Sequence, residues 1–187
     1  MKAVPLSRYL VFFALATIGF LVDLVTKNAV FAYLGMPGGE TRWIWSGVLG
    51  LQTSLNEGAL FGLGQGYVYC FTALSVFALA ALALWLFVFK AARDRLLTVA
   101  MGCVAAGILG NLYDRVGLPG LRWNYTSELH AFGEPVYAVR DWILVMIGRW
   151  HWPNFNVADS LLVCGAILLA WHAFRAREPE SSEPQDE

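Results

Sequence analysis

The chain has 187 residues, 58% of them hydrophobic and 14% charged, with eight tryptophans and a net charge of −1. An ordinary soluble domain carries about a quarter charged residues, so that class is excluded, and the scattered Lys and Arg form no patch for nucleic acid. The composition is that of a polytopic membrane protein.

A helix needs about 20 mostly apolar residues to cross a bilayer, and four stretches meet this at about 9–34, 67–89, 96–115 and 155–174. The expected fold class is therefore an all-α membrane protein, one domain over 1–174 with four transmembrane helices. Lys2 and Arg8 precede the first stretch, as in a signal peptide. Its apolar run is too long for that, and no small-x-small site closes it, so a retained helix is expected.

Between the first two stretches, Trp43, Trp45, Leu49, Leu51, Thr53 and Leu55 recur at period two, interrupted by Gly47 and Gly50. This predicts a small β element that ends in a turn at Asn56-Glu57-Gly58, with the tryptophans at headgroup level. A Trp-anchored loop is the alternative. Lys90, Arg93 and Arg95 join the second and third stretches, and Arg175 and Arg177 follow the fourth. The longer segments 35–66 and 116–153 hold only Arg42, Arg122, Arg140 and Arg149, so both termini read as cytoplasmic and these two segments as external.

In the third stretch Gly102, Ala106, Gly110 and Asp114 are spaced by four, a small face that lets a neighbouring helix approach and that ends in an acid. The second external segment carries Trp123, Tyr125, Phe132, Tyr137, Trp142, Trp150 and Trp152. Its apolar run 142–147 is too short to span, and reads as an interfacial loop or helix, or as a lid over the bundle. The acidic tail 175–187 reads as a disordered cytoplasmic end. Cys70, Cys103 and Cys164 fall within the apolar stretches and His130, His151 and His172 are scattered, so no disulfide, metal site or cofactor is expected.

Two strings stand out, GNLYDR at 110–115 and FNVADS at 155–160, which place Asn111-x-x-Asp114 and Asn156-x-x-Asp159 at the edges of apolar stretches. Charge at membrane depth is costly, so each Asp is a functional candidate. With the third helix running outward and the fourth inward, both acids lie at the external end, and each Asn can share a face with its Asp. Two close carboxylates tend to share one proton, providing acid and base together, as in aspartic peptidases. Asp159, near a helix N-terminus, would be the charged member and Asp114 the protonated one. The plainer readings are an Asp114–Arg115 ion pair and an Asp159 helix cap. Asp23 and Lys27 are spaced for an intrahelical ion pair, and Asn56 is either a turn former or a contact to substrate backbone. A small ion-coupled transporter or a silent membrane scaffold are the competing classes. Acids confined to one end, with no inverted repeat, count against transport.

Taken in order, these residues resemble the bacterial lipoprotein signal peptidases, or signal peptidase II. DLVTK at 23–27, NEGALFG at 56–62, GNLYDR, VRDW at 139–142 and FNVADS are similar to that family's motifs. The resemblance implies a four-helix aspartyl endopeptidase of the bacterial inner membrane with its site toward the periplasm. Its substrate would be a diacylglyceryl-modified prolipoprotein, cut before the lipidated cysteine, with membrane lipids as surroundings, globomycin as an inhibitor, no cofactor and a monomeric state. On this resemblance the catalytic dyad is Asp114 and Asp159. Asn56, Gly58, Asn111, Arg115, Asn156, Ala158, Asp23, Lys27 and Asp141 are expected around it. Leu24 and Trp142 depart from the family pattern, and the stretch 118–138 is unusually long.

Overall fold

The computed structural model describes residues 3–58 and 63–175. Lys2, Arg177, positions 59–62 of the NEGALFG string and the acidic tail beyond 175 lie outside the described residues. Helix α1 spans Leu6–Leu34 and stops at Gly35, whose φ of 80° is readily adopted only without a Cβ. Helix α2 runs over Val68–Ala83 and continues as a π-helical turn, Leu84–Val88. Helix α3 spans Arg95–Arg115, and its N-terminus is capped by Asp94, which accepts the Leu97 N–H at 2.8 Å. Helix α4 covers Val157–Arg175.

All four helices are long and apolar enough to cross a membrane. Helix α3 is the axis of the bundle: 56% of its apolar window is buried, against 17% or less in each of the others. Small residues make that possible. An added Cβ on Gly107 would lie 2.5 Å from the Ala158 carbonyl oxygen, and one on Gly19 would lie 2.7 Å from the Ala106 Cβ. The tightest point is Gly110, where a Cβ would collide with the Asp23 carboxylate and sit 2.9 Å from the Ala158 Cβ. Overpacking a tight core costs about 1–3 kcal/mol. Gly110→Ala is therefore expected to lower the thermal unfolding midpoint in detergent, with Gly120→Ala, where no atom lies within 4 Å but φ is positive, as a comparison for backbone strain alone.

Four strands form one antiparallel sheet in the order β1 (Arg42–Trp45), β2 (Leu49–Asn56), β3 (Val139–Ile147), β4 (Trp150–Phe155). The period-two pattern over 43–55 is thus β structure, and Asn56 makes the expected turn, its Oδ1 accepting the Gly58 N–H at 3.0 Å. The run 142–147 is neither lid nor interfacial helix. It lies within β3, a strand with neighbours on both sides, where Ile143, Val145 and Ile147 supply β-branched side chains at alternate positions. Among the described residues the fold is accordingly four long helices with a small β element, a four-stranded sheet that also takes in the run expected to be an interfacial loop or helix.

The sheet packs on α1 and α3. Its β2–β3 register sets Ser54 opposite Asp141 and Asn56 opposite Val139. Strand β4 leads into α4 through Asn156. The long stretch before β3 folds back on itself: the Trp123 N–H donates to the Glu134 carbonyl at 2.9 Å, and the Gly133 N–H returns to the Trp123 carbonyl at 2.8 Å. Trp123, Val136 and Ala138 bury together against Met36, Leu55 and Leu121, and the His130 ring stacks on Trp123 with centroids 3.5 Å apart. The insertion thereby carries a small core of its own.

Candidate active site

The end of α1, the end of α3, the start of α4 and the inner strands of the sheet converge at one end of the bundle. They bring the candidate residues together in two adjoining groups.

The first group is a closed set of charges. Lys27 Nζ lies 2.7 Å from Asp23 Oδ2 and 3.0 Å from Asp114 Oδ2. Arg140 Nε reaches Asp114 Oδ1 at 2.9 Å, while the Arg140 backbone N–H donates to Asp114 Oδ2 at 3.0 Å. Asp23, Lys27 and Asp114 are fully buried, and Arg140 is nearly so. Two cations against two carboxylates sum to zero, which is what makes their burial tolerable. The set also ties elements together: Asp23 Oδ1 accepts the Ala158 N–H at 2.9 Å, joining α1 to the first turn of α4, and Arg140 Nη1 donates to Asn28 Oδ1 at 2.6 Å.

The second group holds Asp141 and Asp159, and Asn156 bridges them. The Asn156 amide Nδ2 donates to Asp141 Oδ1 at 2.6 Å, and its Oδ1 accepts the Asp159 N–H at 2.9 Å. Asp159 Oδ2 in turn accepts the Asn156 N–H at 3.2 Å, so the two residues form a reciprocal cap on α4. Asp159 Oδ1 accepts from Asn111 Nδ2 at 2.8 Å. Asn111 Oδ1 faces the other group, accepting from Lys27 Nζ at 3.2 Å and from Asn156 Nδ2 at 3.2 Å. The asparagines are therefore the seam between the charge set and the acid pair.

Burial, and then the nearby charge of Asp159, push the Asp141 carboxyl well above the usual carboxylate range. Hydrogen bonds from Asn156 and Asn56 and the charge of Lys27 oppose this without cancelling it. Asp159 is half-buried. Asp141 and Asn56 open onto a cleft of about 250 Å³. Arg115 closes the group from the α3 side, its Nη2 donating to the Gly58 carbonyl at 2.9 Å and its guanidinium over the Phe71 ring.

This geometry revises three expectations. Asp114 lies at the same end as Asp159, but both of its oxygens are taken by Lys27 and Arg140, and it has no exposure. The acid that shares a bridging side chain with Asp159 is Asp141. Asn111 serves Asp159 rather than Asp114 one turn away, and Arg115 binds the Gly58 carbonyl rather than pairing with Asp114. Arg140 and Asn28 join the site without being candidates from sequence reasoning. Adjacent strand residues project to opposite faces, so a VRDW string read as a strand places Arg140 on one side and Asp141 on the other.

The whole architecture recurs in solved structures. One bacterial membrane enzyme, determined by the in meso method at 2.3 Å, superposes with a TM-score of 0.71 at 26% identity, covering 92% of this chain and 94% of that one. Another at 1.9 Å gives a TM-score of 0.67 at 26% identity, covering 91% and 94%. Together with four membrane-length helices, these place the chain among bacterial multi-pass membrane proteins. A family model described as Signal peptidase (SPase) II matches residues 15–175. Similar curated proteins carry the name lipoprotein signal peptidase. That of Rhodopirellula baltica is 49% identical over 177 residues, covering 92% of this chain and 75% of the relative. That of Polynucleobacter necessarius is 31% identical over 186 residues, 98% of this chain and 99% of the relative. The chain belongs to the signal peptidase II family, and is an aspartic peptidase of that family.

Proposed function

We propose that the protein removes the signal peptide from diacylglyceryl-modified prolipoproteins, cutting before the lipidated cysteine, with Asp141 and Asp159 as the catalytic pair. The observation that carries this is the Asn156 bridge between two carboxylates beside an open cleft, while Asp114 is held in ion pairs. Asp159, with two N–H donors on its oxygens and the start of α4 behind it, takes a proton from the attacking water. Asp141, which holds its proton, donates to the oxyanion as the tetrahedral intermediate forms. As that intermediate, now a gem-diol, collapses, the proton on Asp159 passes to the leaving amine and one hydroxyl returns its proton to Asp141, which restores the acid pair. Asn111, Asn156 and Asn56 orient the two acids, and Arg115 fixes the turn at Gly58.

The basic residues Lys90, Arg93, Arg95 and Arg175 lie at the end of the bundle opposite this site, so the site faces the periplasm and both termini the cytoplasm of an inner-membrane protein. A substrate anchored by acyl chains stays in the bilayer, where a site at the helix ends is reached laterally from between the helices. The enzyme works as a monomer among lipids, and globomycin-type inhibitors compete for the acid pair.

Cleavage needs Asp141 protonated, so the rate falls as pH rises through its raised pKa. Asn56 donates to the ionised form and so holds that pKa down. In Asn56→Ala the alkaline limb of kcat/KM is therefore expected to move to higher pH, whatever happens to the height of the profile. The activity itself is tested by incubating purified protein in detergent with a diacylglyceryl prolipoprotein and following loss of the signal peptide by gel shift. No cleavage by folded wild type would refute this function.

A further inference from the structure

Beyond the acid pair, the cleft runs outward over the sheet. Its walls there are Gln52 and Ser54 from β2, His151 and Asn154 from β4, and Gln65 from the segment before α2. Apart from His151 these are neutral groups able both to donate and to accept, and the wall is rigid. Asn154 Nδ2 donates to the Gln52 carbonyl at 3.0 Å and to Gln52 Oε1 at 3.3 Å, and Gln52 Nε2 donates to Thr41 Oγ1 at 3.0 Å. This chain of hydrogen bonds pins β4 to β2 across the cleft. It leaves Asn154 Oδ1 shielded from solvent with no hydrogen-bond partner among the described residues, a costly state unless a donor completes it.

We infer that this polar stretch is the subsite for the residues that follow the cleaved bond, binding the first few residues of the mature protein in extended form. The inference rests on the function proposed above and adds to it which side of the substrate lies where. An apolar signal sequence and acyl chains remain in lipid, where polar amide walls gain nothing. The chain downstream of the cysteine is polar and has to leave the membrane. Its backbone N–H and C=O groups need partners once desolvated, and paired side-chain amides on a fixed sheet supply both kinds without demanding a particular sequence. Because Asp141 lines the same cleft, a peptide held there is brought up to Asp141.

The test compares two lipopeptide substrates with one signal sequence: a short one ending at the lipidated cysteine as its amide, and a long one with four further polar residues. Full-length wild type is expected to cleave the long one with a KM about tenfold lower, the worth of one or two hydrogen bonds. Asn154→Leu and Gln65→Ala, one on each wall, are expected to raise the KM of the long substrate toward that of the short one. They should leave kcat, and both constants for the short substrate, unchanged. Equal KM values for the two substrates in wild type would overturn the inference, as would variants that slow both alike or leave the preference intact. Failure of wild type to cleave either substrate would instead count against the proposed function. Should Asn154→Leu not fold because β4 loses its tie to β2, Gln65→Ala decides the matter, since Gln65 takes no part in that tie.

Discussion

Asp141→Asn and Asp159→Asn are each expected to abolish cleavage while leaving the protein folded, lowering kcat by at least the roughly 10²–10⁴-fold that a general acid or base typically supplies. The amide keeps the shape of each side chain and can remain hydrogen-bonded, Asp141 to Asn156 and Asp159 to Asn111 and Asn156. What it removes is the proton that Asp141 delivers or the charge with which Asp159 receives one. Asp114→Asn behaves differently. It takes one carboxylate out of a buried set of two cations and two anions, so Lys27 keeps Asp23 while Arg140 loses its carboxylate partner. The primary loss there is of folded protein. A variant series in which kcat collapses at 141 and 159, and thermal stability at 114, separates chemistry from support.

The largest stability effect is expected at Lys27. Its ammonium is fully buried and joins α1 to α3 through Asp114 and to the seam through Asn111. Lys27→Met leaves the buried Asp23 carboxylate without its cation and Asp114 with Arg140 alone. Removing one partner of a buried pair costs about 3–5 kcal/mol, far more than the pair contributes net, because an uncompensated charge stays behind. The sign can be checked by restoring neutrality. In Lys27→Met with Asp23→Asn the set is again balanced as Arg140 against Asp114, so part of the lost stability should return. Unfolding midpoints in detergent for the two single variants and the double variant measure this coupling. If the double variant loses the full sum of the single losses, the four charges do not act as one set.

Much of this architecture is written in local pattern. The four helices are long apolar runs whose ends are marked by Gly35, Asp94 and Asn156, and the first hairpin shows as alternation between Trp43 and Leu55. The second hairpin does not. The run Trp142–Ile147 in β3 is uniformly apolar, so no period-two alternation shows there, and Pro153 within β4 argues against a strand. The site follows the same division. Asp23 and Lys27 pair because their spacing makes them helical neighbours, and Asn156 and Asp159 cap one another for a similarly local reason. Which carboxylate stands beside Asp159 depends instead on where β3 returns after the long 118–138 stretch. Helix depth alone puts Asp114 and Asp159 at one level. Only the return of the strand puts Arg140 onto Asp114 and leaves Asp141 beside the bridge.

Of the buried acids, Asp141 is the one proposed to hold the proton beside Asp159, while Asp114 is held in ion pairs. Infrared spectroscopy of the purified protein at neutral pH tests it directly, through the carbonyl stretch of a protonated carboxylic acid. The expected result is such a band in wild type that is present in Asp114→Asn and absent in Asp141→Asn. A band that survives Asp141→Asn and vanishes in Asp114→Asn would contradict the assignment.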